Sequence, residues 1–301
     1  MSGCCYEIDE VLNEAIMTGK PVIIVEGIND ISIYSNMGES CGVEVYAIEH
    51  IDGFSGGSDQ VISAIQELNS LPNDTHTLSN HILGIIDKDV RDYRQELPGI
   101  EPLLVLKYYS IESHFVSDQI ISCCLSNTIK ANLDLVSDEL CTQMMDEIEA
   151  KLSDLYYLSL EALRNSIVPG YSGTISYSSN FGYEIKPQTI EYLSDKKHDL
   201  DYFAADRGIN HCIDTLKSIS KGKWLIGIFS RELVNCIKGL QAKCEEGSIK
   251  TCRSCNSGDF DNCLYRLKDG FKGYKTIESL IQSYYQCDDV QYIKDRIADI
   301  R

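Results

Sequence analysis

The segment PVIIVEGINDISIY, residues 21–34, decides the fold of the first part of the chain. Its first half is a short apolar run rich in β-branched residues, which is typical of a strand buried on both faces of a parallel sheet. The run ends at Glu26 and Gly27, and the residues that follow, INDISIYSNMG, have apolar side chains at helical spacing. The segment therefore predicts a buried strand that leads directly into a helix.

The same alternation continues on both sides of this segment. Residues 6–19 have helical apolar spacing and end at Gly19, a residue type that favours helix ends. The helix VISAIQELNSL follows a glycine-rich turn, and three further strands are predicted, at 43–52, 81–92 and 102–113. Since strands that alternate with helices form βαβ units, we predict an α/β fold with a mostly parallel sheet flanked by helices over residues 1–118.

The remainder of the chain, residues 119–301, changes to long stretches of helical periodicity. One segment, 168–187, is rich in Gly, Ser and Tyr and is predicted to be a loop or a hairpin. A mainly α-helical domain is therefore expected to follow the α/β domain.

The charge of the chain is large and uneven. The 301 residues include 46 acidic and 27 basic side chains, a formal charge of −19, which argues against a protein that coats nucleic acid or an anionic membrane. Residues 1–150 hold 26 acidic and 6 basic side chains, whereas residues 151–301 hold 20 and 21. Within 217–275 there are 12 basic and 6 acidic residues, so this stretch is either a docking surface for a polyanion or a solvated helical face.

The sequence also predicts whether the protein is soluble or bound to a membrane. No apolar run reaches the roughly 20 residues that a membrane span needs. The N-terminal stretch MSGCCYEIDE is acidic and lacks the basic-then-apolar pattern of a signal peptide. We therefore expect a soluble, cytoplasmic protein that does not bind membranes.

Four acidic residues follow or end the predicted strands. Glu26 follows the first strand, Asp87 and Asp89 end the third at a spacing that points both side chains the same way, and Glu112 ends the fourth. Ligand sites in parallel sheets lie at the carboxyl ends of the strands, and grouped carboxylates are stabilised by hard cations. This arrangement predicts a Mg²⁺ or Mn²⁺ site, although each acid alone is also explained as a cap for the helix that follows it.

These residues carry a resemblance. VIIVEGINDISIY, GFSGGSD, LGIIDKDVRD and YYSIESHF together resemble the TOPRIM domain of topoisomerases, primases and OLD-family nucleases, over about residues 18–116. Within that family, the same motifs resemble the TOPRIM nuclease subunits of PARIS anti-phage defence systems. The resemblance implies that Glu26 is the general acid or base, that Asp87 and Asp89 bind the divalent metal, and that Glu112 completes the site.

The resemblance also implies a biological setting. Subunits of this kind are held by an ABC-type ATPase sensor, are released on infection as homodimers, and cleave host tRNA, so that the cell aborts the infection. No tyrosine lies in a topoisomerase motif, and the additional nucleotide-binding parts of primases are not recognised. The alternatives are an OLD-like TOPRIM DNA nuclease and a non-catalytic module that binds a metal or a partner.

Basic residues near these features are candidates for contacts with nucleic acid. Lys88 and Arg91 lie beside the acidic residues, where they either contact a phosphate or pair with neighbouring acids. The basic stretch adds further candidates, namely Lys221, Lys223, Lys250, Arg253, Arg266 and Lys268. His114 lies close to Glu112 and either serves in the site or has a structural role.

The chain contains 13 cysteines, which we expect to be reduced thiols. Four of them, Cys244, Cys252, Cys255 and Cys263, fall within twenty residues and include a CxxC pair. A CxxC pair can bind one tetrahedral ion, and the flanking thiols can complete its coordination. The spacing predicts a structural Zn²⁺ site in the loop 244–263 that would present Lys250, Arg253, Arg266 and Lys268 to RNA or DNA; the alternative is a polar loop with free thiols.

Overall fold

The computed structural model describes residues 6–71, 77–132 and 134–300. The chain divides into two compact units. The first ends at Tyr108 and is rejoined by the segment that begins at Asp288, whereas the second extends from Tyr109 to Cys287.

The first unit is built on a parallel sheet. In chain order its elements are α1 (Ile8–Thr18), β1 (Val22–Val25), α2 (Ile28–Met37), β2 (Glu44–Ala47), α3 (Ser58–Ser70), β3 (Ile82–Ile86), α4 (Arg91–Arg94) and β4 (Leu103–Val105). The strands are ordered β2-β1-β3-β4, and every pair is parallel, with Val22 opposite both Glu44 and Ile82. The predicted α/β fold with helices around a parallel sheet is confirmed.

Both faces of this sheet are covered. Val22 and Ile24 of β1 pack in one apolar cluster with Val11 of α1 and Ile65 of α3. The alternate residue Ile23 is also fully buried, and α2 packs against β1 and β2. Burial on both faces explains why β1 and β3 consist of uninterrupted apolar residues.

The fourth strand is much shorter than predicted. β4 ends at Val105, and only one further ladder bond follows, from the Leu106 N–H to the Ile86 carbonyl. Since β3 itself ends at Ile86, a longer β4 would have no partner strand. The prediction that Glu112 ends this strand is therefore wrong, because Glu112 lies in a 3₁₀ helix, Ile111–Phe115.

The second unit is helical. Its helices are α5 (Asp118–Thr128), α6 (Asp138–Lys151), α7 (Ser153–Ile167), α8 (Pro187–Asp206), α9 (Ile213–Ile219), α10 (Gly222–Glu246), α11 (Arg253–Asn256) and α12 (Tyr274–Ile281). The Ser117 and Ser137 hydroxyls accept hydrogen bonds from the first turns of α5 and α6, and Pro187 begins α8. Residues 168–186 form no helix or strand, as the loop prediction required. None of the helices within the described ranges combines the length and hydropathy needed to cross a bilayer.

The C-terminal segment belongs to the first unit. Its helix α13 (Gln291–Ala298) carries Tyr292, whose hydroxyl oxygen accepts a 2.8 Å hydrogen bond from the Lys107 N–H. Arg296 of the same helix pairs with Glu101 at 2.6 Å. The predicted division after residue 118 therefore differs from the observed one, which lies after Tyr108 and returns the chain end to the sheet.

Candidate active site and candidate metal centre

Glu26 is positioned by the adjoining ends of two parallel strands. It follows β1 directly, and its carboxylate accepts a 2.7 Å hydrogen bond from the Asp87 N–H, immediately after β3. Because β1 and β3 are neighbours in the sheet, residues separated by 61 positions meet at this edge. Glu26 and Asp87 therefore lie at the same edge of the sheet, and the contact between them is made by the Asp87 backbone amide.

Asp89 is placed by a turn rather than by a strand. β3 ends at Ile86, and Asp89 has a φ of +50°, in the left-handed region that Asp and Asn tolerate better than most residues. The expectation that strand spacing points Asp87 and Asp89 the same way is therefore wrong. A tight turn, Asp87–Val90, instead leads from β3 into the short helix α4.

The surroundings of Glu26 change its acidity. Burial is the largest influence and raises the pKa of Glu26, and the nearby charges of Asp89 and Asp30 raise it further. The Asp87 amide and the Arg91 guanidinium oppose this effect, and the resulting pKa is about 7. A carboxyl group with such a pKa populates both protonation states at neutral pH, which suits a general acid or base.

The glycine-rich turn before α3 packs against the same strand end. The Gly57 N–H donates a 3.0 Å hydrogen bond to the Glu26 carbonyl. Gly57 has φ 113° and ψ 162°, a conformation that is essentially restricted to glycine. The turn thus holds the backbone of Glu26 in place, and α3 begins directly after the turn, at Ser58.

Lys88 and Arg91 both pair with acidic residues. Lys88 is buried and lies 3.1 Å from the Asp92 carboxylate. Arg91 donates to the Ser58 hydroxyl at 2.8 Å and to Asp59 at 2.6 Å. The sequence allowed either a contact with phosphate or ion pairs with neighbouring acids, and the ion pairs are observed.

Two tyrosines and Asp30 belong to this region and were missed by the sequence analysis. Tyr34 is buried, and burial together with the charges of Asp87 and Asp30 raises its pKa well above the usual value. Burial likewise raises the pKa of Tyr292, with contributions from Asp289 and Asp87. Asp30 and Tyr34 could have been found from the sequence, because residues four positions apart lie on the same face of a helix. No sequence pattern near Tyr292 indicates its position, because only the complete fold brings it close to Asp87.

Glu112 and His114 have structural contacts within the second unit. The Ser110 hydroxyl donates a 2.5 Å hydrogen bond to the Glu112 carboxylate, which lies beside Gly222 at the start of α10. Glu112 does not cap the helix that follows it, whose N-cap is Ser117, and its carboxylate lies instead at the start of a distant helix, where a negative charge is favourable. His114 is fully buried, and its Nδ1 lies 3.0 Å from the Ser110 carbonyl oxygen.

The acidic residues have the donor chemistry for Mg²⁺ but do not form a preassembled cage. Within the described residues, the only group of three or more His, Cys, Asp or Glu side chains whose donor atoms converge is the set of four cysteines. Mg²⁺ is commonly bound through one or two carboxylates, with waters and substrate phosphates as the remaining ligands. Asp87 and Asp89 offer two carboxylates of this kind in the segment after β3.

The four cysteines of the loop 244–263 do converge. Their Sγ atoms all lie within 4.8 Å of one another, and all four residues are buried. Zinc–sulfur bonds of about 2.3 Å in a tetrahedron place sulfur atoms about 3.8 Å apart, close to the 4.0 Å between Cys252 and Cys263. The predicted site for a metal such as zinc is therefore confirmed as a geometric arrangement, and every cysteine in the described ranges is a free thiol.

Local backbone structure explains how these cysteines meet. Cys244 lies in the last turn of α10, which ends at Gly247 with a φ of 73°. The chain then turns back so that Cys252 precedes α11 and Cys255 lies within it. The Cys252 N–H points to the Cys244 sulfur at 3.3 Å, and the Leu264 N–H points to the Cys252 sulfur at 3.5 Å.

The hydrogen bonds at Cys252 favour its thiolate, whereas burial and the neighbouring thiols raise the pKa of Cys255, and burial raises the pKa of Cys263 to about 11. Burial is the largest influence on Cys252 and raises its pKa, but the amides of Leu264 and Cys255 and the neighbouring thiols lower it to about 6. Thiolate sulfur is the form that coordinates zinc. Amide donors thus favour the metal-binding form at one of the four sulfur atoms, that of Cys252.

The remaining basic candidates lie in the second unit. Lys221 is partly buried and donates to the Tyr177 carbonyl at 2.8 Å, whereas Lys223 is exposed. Lys250, Arg253 and Arg266 are exposed around the cysteine loop, and Lys268 donates to the Asn127 carbonyl at 2.8 Å. Lys250 and Arg266 also donate to backbone carbonyls, those of Asp134 and Asp261, each at 2.9 Å, but their side chains are exposed.

No protein-family model matches this chain, and comparison with curated proteins finds no significant match. The residues and their geometry therefore carry the functional assignment.

Proposed function

We propose that this chain is a metal-dependent endonuclease of the TOPRIM type. The observation that carries the proposal is the position of Glu26, which is hydrogen-bonded to the Asp87 amide where β1 and β3 end side by side. Its pKa of about 7 suits proton transfer at neutral pH. The EG and DxD motifs that resemble TOPRIM domains coincide with these two strand ends.

In this proposal each acidic residue has a distinct role. Glu26 moves the proton at the scissile phosphodiester, and the Gly57 and Asp87 amides hold its backbone and carboxylate in place. Asp87 and Asp89 would hold Mg²⁺ or Mn²⁺. When bound, such an ion polarises a phosphoryl oxygen and offsets the charge that develops during an in-line displacement. Glu112 is left out of this set because its carboxylate is held at the start of α10.

We further propose that the enzyme is the toxic effector of an anti-phage defence system and acts on host tRNA. The support is the similarity of its motifs to PARIS nuclease subunits, which implies an ABC-type ATPase sensor as partner and a homodimer as the active form. The charge distribution is compatible with a basic partner, since residues 1–150 hold 26 acidic and 6 basic side chains. Action in the cytoplasm follows from the same proposal.

The test is the variant Glu26→Gln, with Glu67→Gln as a control that removes an exposed carboxylate from α3 of the same unit. Loss of a positioned general acid or base is expected to slow cleavage by about 10²–10⁴-fold. The measurement is sequencing of the RNA and DNA fragments that wild type, but not the variant, produces in cells and with Mg²⁺ in vitro.

The same experiment separates the alternatives. Fragments from tRNA support the proposed substrate, whereas fragments from DNA only would favour an OLD-like DNA nuclease. Unchanged cleavage by Glu26→Gln would reject the catalytic assignment and leave a metal-binding or partner-binding module.

A further inference from the structure

A groove of about 380 Å³ lies beside the cysteine cluster in the second unit. Two chain segments form its walls. Lys130, Asn132 and Asp134 come from the segment after α5. Lys250 and Arg253 come from the loop 244–263, and Leu264 directly follows that loop. Three cationic side chains from separate parts of the sequence therefore meet around one acidic residue.

Backbone contacts join the two walls. The Lys130 N–H donates to the Leu264 carbonyl at 3.0 Å, and the Lys268 N–H donates to the Thr128 carbonyl at 2.8 Å. Beneath them the fully buried Tyr265 places its hydroxyl 3.0 Å from the carbonyl oxygens of both Leu135 and Lys250. The spacing of the cationic groups is thus set by the fold and not only by flexible side chains.

The cysteine cluster determines where the second wall lies. Arg253 directly follows Cys252, and Leu264 directly follows Cys263. The Leu264 N–H also points to the Cys252 sulfur at 3.5 Å. An ion held by the four thiols would therefore fix the positions of Arg253 and Leu264 relative to Lys130.

The charges in the groove favour a phosphate. The Lys250 ammonium donates to the Asp134 carbonyl at 2.9 Å and retains further N–H donors, and Arg253 and Lys130 are exposed. The Asp134 carboxylate is approached by the Asn132 amide at 3.4 Å, so part of its charge is compensated. The lining carries two more positive charges than negative ones, three against one.

The groove extends further than a single phosphate requires. A second cavity of about 420 Å³ is lined by Ser126, Ala131, Asn132 and Asp134, and the two cavities share the last two residues. Two adjoining cavities, one of them lined by three cations, suit successive phosphodiesters of a strand better than one small anion.

We infer that this groove binds the phosphodiester backbone of a nucleic-acid strand and that a metal ion in the four-cysteine cluster holds its second wall in place. The inference rests on the proposed nuclease function, because it assigns the cleaved strand a binding site outside the acidic residues. Lys130, Lys250 and Arg253 are its cationic contacts, and Lys130 lies outside the loop whose basic residues the sequence analysis identified.

The experiment uses the full chain with the Glu26→Gln substitution, so that bound RNA stays intact, and fluorescein-labelled tRNA as the probe. The groove variant carries Lys130→Gln, Lys250→Gln and Arg253→Gln. The matched control carries Lys238→Gln, Lys272→Gln and Lys275→Gln, which remove the same charge from exposed positions elsewhere. Fluorescence anisotropy gives the affinity over a range of salt concentrations, and zinc content and circular dichroism verify that each variant is folded.

We expect the groove variant to bind at least tenfold more weakly than the control. Each lost phosphate contact should also reduce the slope of log affinity against log salt by about 0.7–0.9. Removal of the metal by a chelator should weaken binding by a similar factor in the control but have little further effect in the groove variant.

Equal affinities and equal salt slopes for groove and control variants would overturn the inference. So would a chelated protein that has lost its zinc and binds tRNA as tightly as before. These outcomes are independent of the nuclease assignment, which is tested by cleavage with Glu26 intact. The groove variant can lose binding even if Glu26 proves not to be catalytic. Equally, Glu26 can prove catalytic even if the groove variant binds as tightly as the control.

Discussion

The acidic residues at the strand ends and the four-cysteine cluster are both candidate cation sites, but they are built differently. The sulfur atoms of the cluster converge within 4.8 Å, and backbone amides are directed at two of them. The carboxylates do not converge in this way, and burial, together with the charges of Asp89 and Asp30, raises the pKa of Glu26. The sulfur donors are thus already brought together, whereas the carboxylates are not.

This difference indicates two purposes. A buried, closed set of four thiolates is typical of a structural ion, whose binding contributes to folding. An open group of partly exposed carboxylates needs waters and substrate phosphates to complete its coordination, which is typical of catalytic Mg²⁺. Destabilised residues are expected where function rather than stability has been selected.

The largest effect should follow from breaking the cysteine cluster. In Cys252→Ser, or after removal of zinc by a chelator, we expect loss of the bound zinc and a loss of stability of more than about 3 kcal/mol, since structural zinc contributes directly to folding. The measurements are metal analysis and thermal unfolding. Cys212→Ser, which removes an exposed thiol outside the cluster, should keep both zinc and stability. Absence of zinc from the purified wild type would contradict this assignment.

Glu161 is a carboxylate with several hydrogen-bond donors, and it can be compared with Glu26. The Glu161 side chain is fully buried and accepts hydrogen bonds from Tyr171 and Tyr192 at 2.6 Å and from Lys196 at 2.8 Å. Burial is the largest influence and raises its pKa, but the Lys196, Tyr171 and Tyr192 donors and the Lys196 charge together hold the pKa of Glu161 below its ordinary value of 4.5. A half-buried and a fully buried carboxyl group in one chain, Glu26 and Glu161, thus shift in opposite directions according to their donors.

Glu161→Gln should therefore cost stability, by about 2–3 kcal/mol at pH 7. Because the folded pKa is lowered, the wild-type advantage is present above pH 4.5 and is lost as the pH falls below that value. Denaturant unfolding at several pH values measures this difference, with the exposed Glu191→Gln on α8 as control. A difference that persists unchanged into acid would show that the cost arises from packing and not from charge.

The features that could be predicted from the sequence are those that depend on residues close together along the chain. The apolar run 22–25 and the spacing of the cysteines were sufficient to predict β1 and the converging thiols. Asp89 was wrongly predicted to end β3, because the left-handed turn after this strand has no periodic sequence pattern. Glu112 was wrongly predicted to end β4, because the length of β4 depends on its partner strand. The contact of Tyr292 with Lys107 joins residues 185 positions apart, which only the complete fold determines.

The contact between Glu112 and the start of α10 can be tested at Gly222. A methyl group there would lie 1.9 Å from the Ser110 hydroxyl oxygen and 2.8 Å from the Glu112 carboxylate. We expect Gly222→Ala to destabilise the protein by about 1–3 kcal/mol through overpacking. Gly239→Ala, in the same helix and with no atom within 4 Å of the added carbon, should instead stabilise it by about 0.5–1 kcal/mol. Equal effects in thermal unfolding would place Glu112 away from Gly222.

The smallest change in stability is expected at the acidic residues themselves, although the change in activity should be large. Asn tolerates the left-handed conformation of Asp89 and removes a charge that opposes ionisation of Glu26. Asp89→Asn should therefore alter stability by less than about 1 kcal/mol, in the favourable direction if at all, while cleavage is lost. Asp89→Ala isolates the backbone contribution, because it removes the same charge without the tolerance for positive φ. If Asp89→Asn unfolded as readily as Cys252→Ser, the carboxylates would be part of the folding core, and the contrast between a structural and a catalytic cation site would fail.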